Sequence, residues 1–190
     1  MFIDDVVNDL AYELNSNNVE KSIEGISDYL SIIVVYNEHI SCVMKFKGYH
    51  VIYIKQDEKN KMWEDFTHEL GHFMLHDTDQ RDMNDMYNQK QENEADKFSL
   101  LFRMPQKEIE LHELFTENDL MTFYEVGHNI ARQRLISLCN YYCNDETRVF
   151  KRLFIKTPTQ INGFILYVLK TYMAKRYIRK NGGSQKRKML

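Results

Sequence analysis

No stretch of this sequence approaches the roughly 18 uninterrupted apolar residues that a membrane-spanning helix requires. The longest apolar runs, residues 32–36 and 164–169, have the length of a strand or a short helix. The first ten residues, MFIDDVVNDL, carry no basic flank and no apolar core, so no secretory signal is expected. Three cysteines, Cys42, Cys139 and Cys143, are an odd number, which argues against a disulfide framework and fits reduced thiols in the cytosol. A formal net charge of -3 supplies no general attraction to nucleic acid. What remains is ordinary globular composition, 43% hydrophobic and 28% charged, on a chain of 190 residues. That length allows one domain with a real core and a small appendage.

Val6, Val7, Leu10 and Leu14 recur at helical spacing, so Asp4 to Leu14 reads as an amphipathic helix, closed by Asn15-Ser16-Asn17-Asn18. Three β-branched and aromatic segments follow: Ile32 to Tyr36, Ile40 to Phe46 and His50 to Ile54. Separated by Asn37-Glu38 and Lys47-Gly48, they predict a small antiparallel sheet. Residues 60–76 read as a helix, 77–88 as a polar acidic loop beside it, and 89–103 as a second helix ended by Met104-Pro105. Further helices are expected over 105–115 and 117–142. Residues 149–155 and 161–169 fit either strand or helix, and the basic end from Lys175 reads as a flexible tail. The expected division is a domain over 1–145, an extension over 146–180 and a tail over 181–190. No internal repeat is present.

His68-Glu69-Leu70-Gly71-His72 has the form H-E-x-x-H. On a helix, residues four apart share a face about 5–6 Å apart, so two imidazoles can reach one zinc ion at about 2.0–2.1 Å. Glu69 is offset from His68 by about 100° around the helix, which suits a general base rather than a ligand. Three fixed positions alone also fit a solvated helix face that happens to carry two histidines. A third ligand changes that balance, because a catalytic zinc usually takes three protein ligands and leaves one place open. Glu92, in Gln91-Glu92-Asn93-Glu94-Ala95-Asp96 of the next helix, is the candidate. Asp96 lies one turn further on the same face, where it can accept the second ring N–H of a ligating histidine. Glu94 points about 200° away from Glu92 and is expected in solvent. Manganese or iron would also suit two imidazoles and a carboxylate.

The residues from Trp63 to His72, the pair Leu75-His76, the stretch from Gln91 to Phe98 and the closing Leu101-Phe102-Arg103-Met104-Pro105 together resemble the ImmA/IrrE family of metallopeptidases. The likeness covers about a third of the chain, with both motifs in order. It implies an α+β, zincin-like fold in which a small antiparallel sheet packs with the active-site helix and further helices. It also implies His68, His72 and Glu92 as ligands of one zinc ion and Glu69 as the base. The implied activity is that of an endopeptidase in the bacterial host cytosol. Its implied partner is a helix-turn-helix transcriptional repressor of a phage or mobile element, whose cleavage relieves repression. Two positions depart from the pattern. Ser99 replaces a usual alanine, and Arg103 replaces an apolar residue, which suggests an exposed helix end.

Other features have plainer explanations. His76, four residues after His72, is either a substrate or transition-state contact or a helix-end histidine favoured by the dipole. Tyr124 and His128 are either oxyanion donors or ordinary helix-turn positions. Cys139 and Cys143 read as buried apolar cysteines. The basic end reads as a solvated tail, and neither a membrane nor direct nucleic-acid binding is expected. Two rivals to a peptidase remain. One is a zinc-binding regulator that displaces a repressor without cutting it; the other is a phage-defence or toxin–antitoxin module.

Overall fold

The computed structural model describes residues 3–76 and 85–142, so the expectations for positions 77–84 of the loop over 77–88, for Cys143 and for 146–190 lie outside the described residues, whereas 85–88, read as the end of that loop, are the first turn of a helix. The chain divides into two compact units, Met1–Pro105 and Gln106–Leu190.

The first unit begins with α1 (Ile3–Ser16), whose Val6, Val7, Leu10 and Leu14 are buried as their spacing demands. Next comes α2 (Ile23–Leu30), which the sequence reading passed over. Its signals were present: Ser22 caps the first turn by accepting the Gly25 N–H at 3.1 Å. Ile23, Ile26 and Leu30 then repeat at helical spacing. Ser31 ends the helix in the left-handed region at φ 56°.

Three strands follow, β1 (Ile33–Asn37), β2 (Cys42–Phe46) and β3 (Tyr49–Lys55), in the spatial order β1-β3-β2. The α+β class holds, but the sheet is mixed. β2 pairs with β3 antiparallel, whereas β1 pairs with β3 parallel. Lys47 and Gly48 both have positive φ, 49° and 86°, as a two-residue hairpin turn between twisted strands requires. β3 takes the centre and is the most buried of the three strands. Val51, Ile52 and Ile54 are buried, which only a central strand can accommodate on both faces.

Helices α3 (Lys59–Leu75) and α4 (Asp85–Arg103) complete this unit. Glu64 meets Arg103, Thr67 meets Ser99 and Gly71 meets Ala95, so the two helices run antiparallel. Phe66 and Leu70 of α3 and Phe98, Leu101 and Phe102 of α4 join the α1 residues and Ile26, Ile52 and Ile54 in one core. Burial of this many large apolar side chains, each contributing about 1.5–3 kcal/mol, fixes how the two helices lie on the sheet. Arg103 is not at an exposed helix end. Its guanidinium is nearly buried and donates to Glu64 at 3.0 Å, which supplies the partner that a cation in that position needs.

In the second unit, α5 (Gln106–Leu111) is followed by α6 (Glu117–Tyr124) and α7 (His128–Tyr142). The single helix expected over 117–142 is two. Glu125 adopts φ 52° and Gly127 follows, so the chain turns between them. Thr116 and Asp119 form a reciprocal capping box at the start of α6. Ile109, Leu120, Ala131, Leu135, Leu138 and Cys139 are buried. Among the described residues, no helix is long and apolar enough to cross a membrane.

Candidate metal centre

His68 and His72 both project from α3, one turn apart, and their Nε2 atoms lie 3.1 Å from each other. Glu92 comes from α4, with Oε2 at 3.2 Å from His68 Nε2 and Oε1 at 3.5 Å from His72 Nε2. Three ligand-capable groups therefore meet at one point. Four ligands set tetrahedrally at about 2.0–2.1 Å from a zinc ion stand about 3.3 Å from one another. The three observed separations, two of them to different oxygens of Glu92, lie near that edge length, so the two imidazoles and the carboxylate fit a small cation with room for a further ligand.

The close approach that permits this is built into the helices. An added Cβ at Gly71 would stand 3.1 Å from Ala95 Cα and 3.2 Å from Ala95 O, so only glycine opposite a small residue lets the backbones meet so closely. One turn away, Thr67 donates to the Glu64 carbonyl at 2.9 Å, and its Oγ1 lies 2.8 Å from Ser99 Oγ. With the Thr67 proton committed, Ser99 is the donor of that buried pair. Ser99 thus ties the two helices together.

Asp96 Oδ1 lies 2.9 Å from His68 Nδ1. A carboxylate can only accept, so Nδ1 carries the hydrogen and Nε2 keeps its lone pair for the centre. His72 is buried, and burial above all pushes its pKa down to about 4; the neighbouring His68 and His76 add to this while Glu92 opposes it. The ring is therefore neutral at physiological pH, the state a metal ligand needs. Glu69 is also buried, and its carboxyl is pushed up to about 7, first by desolvation. The nearby His68 and a hydrogen bond from the Val43 amide pull the other way, while Glu92 and Asp65 add to the rise. A carboxylate poised near neutral pH suits proton transfer in both directions.

His76 stands apart from the three converging groups. Its ring lies 5.5 Å from that of His72, and its Nε2 is buried with no hydrogen bond among the described residues, 3.9 Å from Glu94 Oε2. Glu94, expected in solvent, is half-buried between His76 and Lys90. In the second unit, the Tyr124 hydroxyl donates to Glu108 at 3.0 Å and His128 pairs with Glu117 at 2.9 Å. Both are thus engaged as structural side chains. Two residues that sequence reasoning does not single out are Ser41, just before β2, which bonds Asp65 of α3, and Val43 of β2, whose amide meets Glu69. Neither carries a motif, and only the strand register reveals them.

An α+β fold with two histidines of one helix and a carboxylate of the next gathered at one point is the architecture of a zincin-type metallopeptidase. The profile of the M78 peptidases, described as the IrrE N-terminal-like domain, matches residues 34–136, more than half of the chain, and the chain belongs to this family. It is also 32% identical over 77 residues to the phage-like element PBSX protein XkdA of Bacillus subtilis (strain 168). That alignment covers 40% of this chain and 39% of the relative, so the chain spans well under half the length of that protein. No solved structure matches.

Proposed function

We propose that this protein is a zinc-dependent endopeptidase of the cytosol of a bacterial host. Its proposed substrate is a helix-turn-helix transcriptional repressor of a phage or mobile element. The observation that carries the reading is the meeting of His68, His72 and Glu92 at tetrahedral edge distances, with the buried Glu69 on the turn between the two histidines. Membership of the M78 peptidases and the likeness to a protein of a phage-like element support it. All of these groups belong to the first unit.

His68, His72 and Glu92 would hold the ion, and Asp96 would fix the His68 ring. When bound, the ion would supply Lewis-acid chemistry to a water and to a scissile carbonyl. The Glu69 carboxylate accepts the proton of the attacking water and returns it to the departing amine.

Purified Glu69→Gln protein is expected to retain one zinc per chain by elemental analysis and to cleave a cognate repressor at least 100-fold more slowly. Cleavage at the wild-type rate would refute the assignment of the base. Repressor that leaves its DNA intact on adding either protein would favour the anti-repressor reading, in which the ion is structural and binding alone relieves repression.

A further inference from the structure

We infer that Ser41 and Asp65 form a latch that positions Glu69, acting through strand β2. This rests on the peptidase reading above, in which Glu69 is the base.

β2 is an edge strand of five residues, paired with β3 on one side alone, so the sheet by itself fixes it weakly. At its start Ser41 makes two bonds. The Ser41 hydroxyl donates to Asp65 Oδ2 at 2.6 Å and accepts the Lys55 N–H at 3.0 Å. The first bond joins β2 to α3; the second joins it to the end of β3. A hydroxyl bound to an ionised carboxylate is short and strong, and here it is partly shielded from water.

The turn that delivers Ser41 is closed in its own right. Asn37 Oδ1 accepts the N–H groups of His39 and Ile40 at 2.7 and 3.0 Å, and Asn37 Nδ2 donates to the Ile40 carbonyl at 2.8 Å. Asp65 is in turn held by Lys61 at 2.9 Å. Both ends of the latch are therefore pre-set before it closes.

Its consequence falls one helical turn along α3. Asp65 and Glu69 are four residues apart and share a face. Two residues beyond Ser41, the Val43 amide donates to the Glu69 carboxylate. Because no strand among the described residues lies on the side of β2 away from β3, that amide stays on Glu69 only while β2 is held against α3. Ser41 is thus a positioning residue: it fixes which way the carboxylate faces, while Glu69 moves the proton.

The test compares full-length Ser41→Ala, Ser41→Thr and Asp65→Ala proteins with wild type. Exchange of the Val43 amide is followed by NMR, using Ile52 and Leu70 as internal references for the core. Zinc-dependent hydrolysis of a quenched fluorescent peptide library and affinity for Co(II) are measured alongside. Val43 exchange is expected to quicken at least tenfold in both alanine variants and to stay near wild type in Ser41→Thr, which keeps the hydroxyl. Ile52, Leu70 and Co(II) affinity should not change. Turnover should fall about tenfold in kcat with KM unmoved, because misplacement of a catalytic group by a fraction of an ångström carries that order of cost. Unchanged Val43 exchange in Ser41→Ala overturns the latch. Faster Val43 exchange with unchanged kcat overturns its role in positioning Glu69. A wild-type protein with no zinc-dependent hydrolysis overturns the peptidase reading instead, and the exchange data then decide the latch by themselves.

Discussion

Gly71 of α3 and Ala95 of α4 touch backbone to backbone: a Cβ on Gly71 would come within 3.1 Å of Ala95 Cα. This contact sits between His68 and His72 on one helix and between Glu92 and Asp96 on the other, so it sets the distance across which the carboxylate must reach. Gly71→Ala would gain up to about 1 kcal/mol in helix propensity. It would lose about 1–3 kcal/mol to overpacking against atoms that belong to backbone and cannot rotate away. Net stability should therefore fall by up to about 2 kcal/mol, while the helices move apart by a few tenths of an ångström. Zinc affinity should fall by an order of magnitude in Gly71→Ala and be abolished in Gly71→Val. Competition with a chromogenic chelator, read beside a thermal melt, separates the two effects. Unaltered affinity in Gly71→Val would show that the close approach does not govern the centre.

Asp96 is largely exposed, with 70% of its side chain accessible, yet it sits 2.9 Å from His68 Nδ1. Loss of an outer hydrogen bond to a ligating histidine typically weakens metal binding 10–100-fold. Exposure lets water replace the carboxylate, so Asp96→Ala should fall near 10-fold, with Asp96→Asn milder because its amide oxygen can still accept. A loss as large as that of Glu92→Ala would make Asp96 a direct ligand and would change the coordination assignment.

Burial of Glu69 has a consequence for the metal-free protein. Its folded pKa, about 7, lies above the ordinary value of 4.5. The stability it contributes is therefore complete below about pH 4.5 and is lost as pH rises through 7. His72 has the opposite sign. Its folded value near 4 lies below the ordinary 6.5, so its contribution is complete above 6.5 and is lost as pH falls through 4. Replacing Glu69 by glutamine removes the first dependence and leaves the second. In the presence of chelator, Glu69→Gln should melt higher than wild type at pH 8, by on the order of 5 °C, and match it at pH 5. An equal gain at both pH values would mean that the carboxylate is not the group whose charge is disfavoured.

Much of this was legible before any coordinates. Periodicity located α1, whose apolar stripe the core demands, and the segments 60–76 and 89–103 read as helices, the second beginning four residues after the observed start of α4. The spacing of His68, Glu69 and His72 and the one-turn offset of Glu92 and Asp96 identified the groups that α3 and α4 bring together. What was not legible depends on tertiary geometry. The parallel pairing of β1 with β3 follows from which strand is buried on both faces, and the short segments Ile33–Asn37 and Tyr49–Lys55 look alike in composition. The break at Glu125 is a left-handed residue in a non-glycine position, for which sequence offers little warning. Arg103 reads as exposed until its partner Glu64, 39 residues away, is seen beside it. Ser41 and Val43 act through hydrogen bonds that no spacing rule encodes.

The second unit offers a prediction independent of the metal. Tyr124 donates its hydroxyl to Glu108, and burial, with the adjacent Glu108 charge, holds the phenol well above its usual pKa. The hydroxyl therefore stays protonated and remains a donor throughout the physiological range. Hydrogen bonds to a charged group contribute about 1.5–3 kcal/mol, and removing the donor leaves a partly shielded carboxylate without it. Tyr124→Phe should lower the local stability of the α5–α6 pair by about 1–3 kcal/mol, seen as faster amide exchange at Ile109 and Leu120. Exchange in α3 and zinc affinity should stay at wild-type levels, since His68, His72 and Glu92 all lie in the first unit. Restoring stability with Glu108→Gln in the Tyr124→Phe background would show that the cost came from the stranded carboxylate rather than from lost packing. If the double variant stays as unstable as the single one, the hydroxyl was holding the helices by its position and not by its charge partner.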